Sequence, residues 1–153
     1  MNKTTSFPKI LPPTLLFVAV LLMLALHLLF PITQIVPVFW RLLGVLPLAL
    51  GLAISYMAEK QFHQAGTTVQ PFEGSSCLVT DGLYRFSRNP MYLGMVLILL
   101  GVAFLLGSLT PIWVIAFFVG WVHNQFIRRE EEMLFAQFGQ DWLEYKARVR
   151  RWI

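Results

Sequence analysis

Charge is scarce in this 153-residue chain: 13% of residues are charged and 57% are hydrophobic. Soluble domains carry roughly 25% charged residues. The deficit excludes an ordinary soluble globular protein and points to one compact integral membrane unit. Cysteine is nearly absent: Cys77 stands alone, so no intrachain disulfide can form. The three histidines, His27, His63 and His123, are far apart and lack metal-ligand spacing, so no metal is expected. No Gly-rich loop follows a strand-like run, which removes the Rossmann-like domain of soluble nucleotide-dependent enzymes. Acidic residues are missing from the apolar runs, which counts against a transporter built on an intramembrane carboxylate.

The charges present are clustered. Lys3 and Lys9 precede the first apolar run. Lys60, Arg85 and Arg88 lie between the second and third, and Arg128, Arg129, Lys146, Arg148, Arg150 and Arg151 follow the fourth. Arg41 alone lies elsewhere. Basic loops stay cytoplasmic. The net charge of +4 is thus read as an orientation signal and a contact with anionic lipid heads. It is not read as a nucleic-acid footprint, because no soluble basic domain is present.

Four spans are expected, about 12–30, 39–57, 91–108 and 111–127, each near the roughly 20 residues a helix needs to cross the hydrocarbon. The first is read as a retained span, since no small-residue cleavage site follows it. Arg41 is expected to snorkel and Pro47 to kink the second span. Gly44 and Gly51 permit close helix approach. "GSLTP" leaves room only for a tight turn, so the last two spans form an antiparallel hairpin. In the tail, Met133, Leu134, Phe138, Trp142, Tyr145 and Val149 recur at helical spacing. Gly139 is expected to end one surface helix and Asp141 to cap the next. Segments 58–90 and 128–153 would share the cytosolic face, within a single membrane-embedded domain over 1–153.

The hairpin returns Glu130-Glu131 to the Asn89-Pro90 start of the third span. Pro90 suits a first helical turn, and a helix start beside Arg88 can hold an anion. The glutamates opposite can hold a cation, so a zwitterion fits between them. Tyr84, Tyr92, Leu78 and Val79 can line a slot for an aromatic base. The bland alternatives are arginines and tyrosines anchoring a helix end in the headgroups and a solvated charged helix face.

"VTDGLYRFSRNPMYLG" followed by "REEEMLFAQFGQDWLEYKARVRRWI" resembles the isoprenylcysteine carboxyl methyltransferase / phospholipid methyltransferase superfamily, in its small bacterial-type branch. The matching positions are Gly82, Tyr84 and Arg85, then Arg88, Asn89, Pro90, Tyr92 and Gly94. After the hairpin come Glu130, Glu131 and Leu134, then Phe138, Gly139, Trp142, Tyr145 and Val149. The resemblance covers about residues 60–153, with both motif halves in order.

The resemblance implies an all-α integral membrane fold of four transmembrane helices, with a cofactor pocket built by the cytosolic loop and C-terminal interfacial helices. The implied cofactor is S-adenosyl-L-methionine, held by Gln70, Ser76, Cys77, Leu78, Val79, Tyr84, Asn89, Pro90, Met91, Tyr92, Glu130 and Glu131. Arg88 and Arg129 are the candidate catalytic residues. Two departures matter: Asn89 stands where the eukaryotic carboxyl methyltransferases carry His, and Phe126 where they carry a substrate-binding Arg. An amide can hydrogen-bond a cofactor but cannot gain charge.

The expected activity is methyl transfer to a lipidic or small hydrophobic acceptor, isoprenylcysteine carboxylate-like or phospholipid amine-like. The expected partners are the bilayer and that acceptor, in a bacterial inner membrane with both termini cytoplasmic. Two other readings stand beside it: an NADPH-dependent membrane reductase of sterol-reductase type, and a non-enzymatic four-helix transporter or scaffold.

Overall fold

A computed structural model describes residues 11–30, 33–66 and 77–153. Its regular elements are helical. They are α1 (Pro12–Leu29), α2 (Val38–Arg41), α3 (Val45–Gln64), α4 (Pro90–Leu106), α5 (Thr110–Val122), α6 (Arg128–Phe138) and α7 (Gln140–Arg148). A 3₁₀ turn, Leu42–Gly44, joins α2 to α3. A second one spans Gly82–Arg85.

The local chemistry explains the boundaries. Proline opens α1, α4 and α5, where its missing N–H costs nothing. Gly107 ends α4 in the left-handed region, φ 72°, donating its N–H to the Ala103 carbonyl at 2.9 Å. The turn that follows is tight, as "GSLTP" implies. It is pinned to the α1 end: His27 Nδ1 and Ser108 Oγ lie 2.8 Å apart, and Thr110 donates to the Phe30 carbonyl at 2.7 Å. His27 is therefore a hydrogen-bonded structural histidine.

Three helical stretches are long and apolar enough to cross a membrane: Pro12–Leu29, Val38–Gln64 and Thr110–Phe138. Pro90–Leu106 is a shorter apolar helix. Exposed apolar side chains such as Leu28, Phe39 and Trp113 have no reason to face water and suit lipid. The chain is an integral membrane protein.

Several boundaries differ from the sequence expectation. The second apolar helix runs to Gln64, seven residues past 57, because no Gly or Pro lies between Met57 and Gln64. Pro47 sits in the first turn of α3, and the Val38–Gln64 stretch is interrupted just before it by the 3₁₀ turn Leu42–Gly44, where the missing Pro47 N–H leaves the Leu43 carbonyl without its helical partner. Arg41 donates to the Val36 carbonyl at 3.2 Å and to the Gln34 side chain rather than only snorkelling. The helix does not stop at 127. A π-helical turn, His123–Ile127, carries α5 directly into α6, since no Gly or Pro occurs between Gly120 and Gly139. Gly139, φ 49°, both ends α6 and precedes α7, and no side chain caps α7, so Asp141 lies inside the helix.

α3 and α4 pack backbone to backbone. A Cβ on Gly51 would stand 2.5 Å from the Gly94 carbonyl oxygen, and one on Gly101 would stand 2.6 Å from that of Gly44. Gly44 meets Gly101 and Gly51 meets Gly94, so the two helices run antiparallel. Small residues are what permit such contact. One core joins α1, α4 and α5 through Met23, Leu99, Phe118 and Val122. A second, smaller core sits at one end of the bundle. There Ala58 meets Tyr84, Trp142, Tyr145 and Val149, with Leu78, Val79, Met91 and Leu134 packed against them.

Candidate functional site

The second core is built from three distant pieces of chain, and the polar residues of interest surround it. The Gly82–Arg85 turn directs Tyr84 inward, where its ring packs edge-on against Phe62 at 5.1 Å. Its backbone carbonyl accepts a 2.7 Å hydrogen bond from the Tyr145 hydroxyl. Burial pushes the Tyr145 pKa up to about 12, with the Arg88 cation pulling the other way. Burial also raises the Tyr84 pKa, and the nearby Tyr145 and Glu130 add to it. Both phenols therefore stay neutral at ordinary pH.

The start of α4 meets the α5–α6 helix as the hairpin requires. The Tyr92 hydroxyl donates to Glu130 Oε1 at 2.8 Å, and its ring lies 6.4 Å from that of Phe126. Glu130 thus joins Tyr92 directly and reaches Tyr84 through its field.

Glu131 faces a different set of groups. Its carboxylate receives Arg151 Nε at 2.8 Å and Nη2 at 2.7 Å, a bidentate pair. Arg88 Nη1 stands 3.0 Å from the same carboxylate, with the Arg88 side chain only 8% exposed. Burial lowers the Arg88 pKa and Glu131 offsets part of that shift. The hydrogen bond to Glu131 raises the Arg151 pKa. Arginine remains a cation through shifts of this kind. The Arg88 guanidinium also stands 5.6 Å from the centre of the Trp142 ring, a cation–π distance. Its Nε and Nη1 are buried without an aligned hydrogen-bond acceptor among the described residues, so the Nη1 contact is an ion pair rather than a formed hydrogen bond.

The backbone around Arg151 closes the arrangement. Asn89 Nδ2 donates to the Arg151 carbonyl at 3.0 Å, and Ser87 Oγ to the same carbonyl at 3.4 Å. The Arg88 N–H donates to the Arg150 carbonyl at 2.9 Å. Arg151 Nη1 also lies 3.5 Å from His123 Nε2, inside the π-helical turn.

The structure therefore brings together Leu78, Val79, Tyr84, Arg88, Asn89, Pro90, Met91, Tyr92, Glu130 and Glu131 at one end of the bundle. Pro90 is buried at the first position of α4. Cys77 is half-buried, with its Sγ 3.4 Å from the Ala65 carbonyl, on the approach to this core. Arg129 is half-buried, one residue before Glu130. Gln70 and Ser76 lie outside the described residues. Sequence reasoning missed Arg151, Ser87 and the clasp they complete. The helical spacing of Trp142, Tyr145 and Val149 was the one signal that the tail folds back.

An all-helical membrane bundle, closed at one end by a polar cluster on an aromatic core, is the class of protein that this geometry defines. The chain belongs to the phospholipid methyltransferase family, whose pattern matches residues 39–141. A protein-S-isoprenylcysteine O-methyltransferase of Saccharomyces cerevisiae is 34% identical over 114 residues, covering 70% of this chain and 46% of its own. One of Schizosaccharomyces pombe is 29% identical over 99 residues, covering 61% and 42%. The solved structure of a eukaryotic intramembrane Ras methyltransferase, isoprenylcysteine carboxyl methyltransferase, superposes with a TM-score of 0.69 at 22% identity, over the whole of this chain and 53% of that one. The chain spans about half the length of these relatives.

Proposed function

We propose that the chain is an integral membrane S-adenosylmethionine-dependent methyltransferase acting on a lipidic or small hydrophobic acceptor, isoprenylcysteine carboxylate-like or phospholipid amine-like. The observation that carries the reading is the Tyr92–Glu130 hydrogen bond. It brings the two halves of the family motif to one point at the edge of the aromatic core.

The residues present fit the cofactor. Glu130 offers a carboxylate for an ammonium or for ribose hydroxyls, and the buried, acceptor-free Nε of Arg88 suits a carboxylate. Leu78, Val79 and Met91 supply an apolar wall for an aromatic base. When bound, S-adenosylmethionine supplies a sulfonium methyl that is already electrophilic. The protein's part is then alignment and exclusion of water. Glu130, oriented by Tyr92, fixes one end of the ligand; the Trp142–Tyr145 core shields it. Asn89 is committed to the Arg151 carbonyl, so its part in this reading is to hold the start of α4. Arg129 is proposed to face the headgroup of the acceptor.

The topology proposed with this function has α4 as a fourth span, with both termini and the site on the cytoplasmic side, as the basic clusters indicate. The test is incubation of the purified chain in lipid with methyl-labelled S-adenosylmethionine and a membrane extract, followed by mass spectrometry of the lipid products. A labelled lipid that needs the intact chain supports the proposal. Absence of both cofactor binding and labelled product would overturn it.

A further inference from the structure

The outer face of the Gly82–Arg85 turn, opposite the side that buries Tyr84, forms a groove against the end of α3. Met57, Gln61, Gly82, Leu83, Arg85 and Phe86 line a cavity of about 540 Å³. We propose that this groove binds an anionic phospholipid of the surrounding leaflet, headgroup on Arg85 and acyl chain along Met57 and Phe86, at a site separate from the Tyr92–Glu130 pair.

Three observations support this occupant. First, Arg85 is exposed and has no hydrogen bond or ion pair among the described residues, in contrast to Arg88 three residues later. A free guanidinium over a groove suits a phosphate oxygen pair. Gln61 fixes the wall of the groove: its Oε1 accepts from the Leu83 N–H at 3.2 Å, and its amide packs against Gly82. Second, the flanking surface is apolar where water would be costly. Phe86 is 77% exposed and Met57 about half exposed. Third, the groove lies where the apolar part of α3 ends and Glu59 and Lys60 begin. That is the boundary between hydrocarbon and headgroup, where a lipid presents charge and chain together.

Native mass spectrometry of the purified full chain in detergent tests the proposal. The probes are short-chain phosphatidylglycerol, phosphatidylcholine of the same acyl length, and inorganic phosphate. Phosphatidylglycerol is expected to bind about five-fold more tightly than phosphatidylcholine, the effect of one basic group on one anionic head. Arg85→Gln should abolish that preference, while Arg128→Gln, an exposed cation elsewhere, should leave it. Phe86→Ala should weaken both lipids together, and it provides a second reading should Arg85→Gln not fold. Equal binding of the two lipids, or a preference that survives Arg85→Gln, would overturn the proposal. So would inorganic phosphate bound as tightly as phosphatidylglycerol, which would mark a bare anion site.

Discussion

Glu130 and Glu131 are neighbours in sequence with opposite surroundings. Successive helical residues point about 100° apart, so one carboxylate meets a tyrosine and the other two arginines. The bidentate Arg151 pair and the Arg88 contact make Glu131 the centre of a clasp that ties the tail to the start of α4. Removing one partner of a buried pair leaves an uncompensated charge and costs about 3–5 kcal/mol. Glu131→Ala is therefore expected to destabilise the fold by about 3 kcal/mol, because Arg88 stays buried. Arg151→Ala should cost less, about 1 kcal/mol, since Arg151 is about a third exposed and Glu131 keeps Arg88. Denaturant titration of both variants in detergent checks the order. Equal and small losses would show that the clasp is an ordinary surface pair.

At the scale of elements, the α3–α4 contact depends on missing side chains. A Cβ on Gly94 would run into the Ser55 hydroxyl and the Gly51 backbone carbonyl. Ser55 can rotate away, but the backbone cannot. Gly94→Val should push the helices apart and cost about 1–3 kcal/mol as overpacking. Gly120→Ala, with nothing within 4 Å, should be nearly neutral in the same unfolding assay. A neutral Gly94→Val would mean that α4 can shift without loss. These glycines could be read from the sequence as permitting close approach, and their pairing could not, because register depends on which faces meet. The hairpin was legible from "GSLTP" and the α4 start from Asn89-Pro90. The continuous α5–α6 helix was not. Its charged run reads as a membrane exit, yet a helix can leave the bilayer without breaking when no Gly or Pro stops it. The clasp was hidden for a related reason: charges spaced along an amphipathic tail look the same whether they face water or a buried arginine.

On the scale of the whole molecule, α4 has 17 residues and rises about 25 Å, slightly less than the roughly 30 Å of hydrocarbon. In the proposed four-span topology a short α4 would be tolerated by local thinning and by polar groups at its ends, such as Arg88 and Asn89 at its start. Reporter fusions at Ser108 and at the C-terminus should therefore report opposite sides of the membrane. The same side for both would remove α5 as a crossing and, because the α4 start meets Glu130 at the far end of that helix, α4 with it.

The central claim is that Glu130 holds the methyl donor where the two motif halves meet. Calorimetric titration of S-adenosylmethionine into the purified chain, Glu130→Gln and Glu132→Gln tests it most directly. A lost charge-assisted hydrogen bond is worth about 1.5–3 kcal/mol, so Glu130→Gln should weaken binding about ten-fold or more. Glu132, exposed on the far side of the helix, should be nearly neutral on substitution. If the two variants bind the cofactor alike, the glutamate run is a solvated helix face and the site does not lie where Tyr92 meets Glu130.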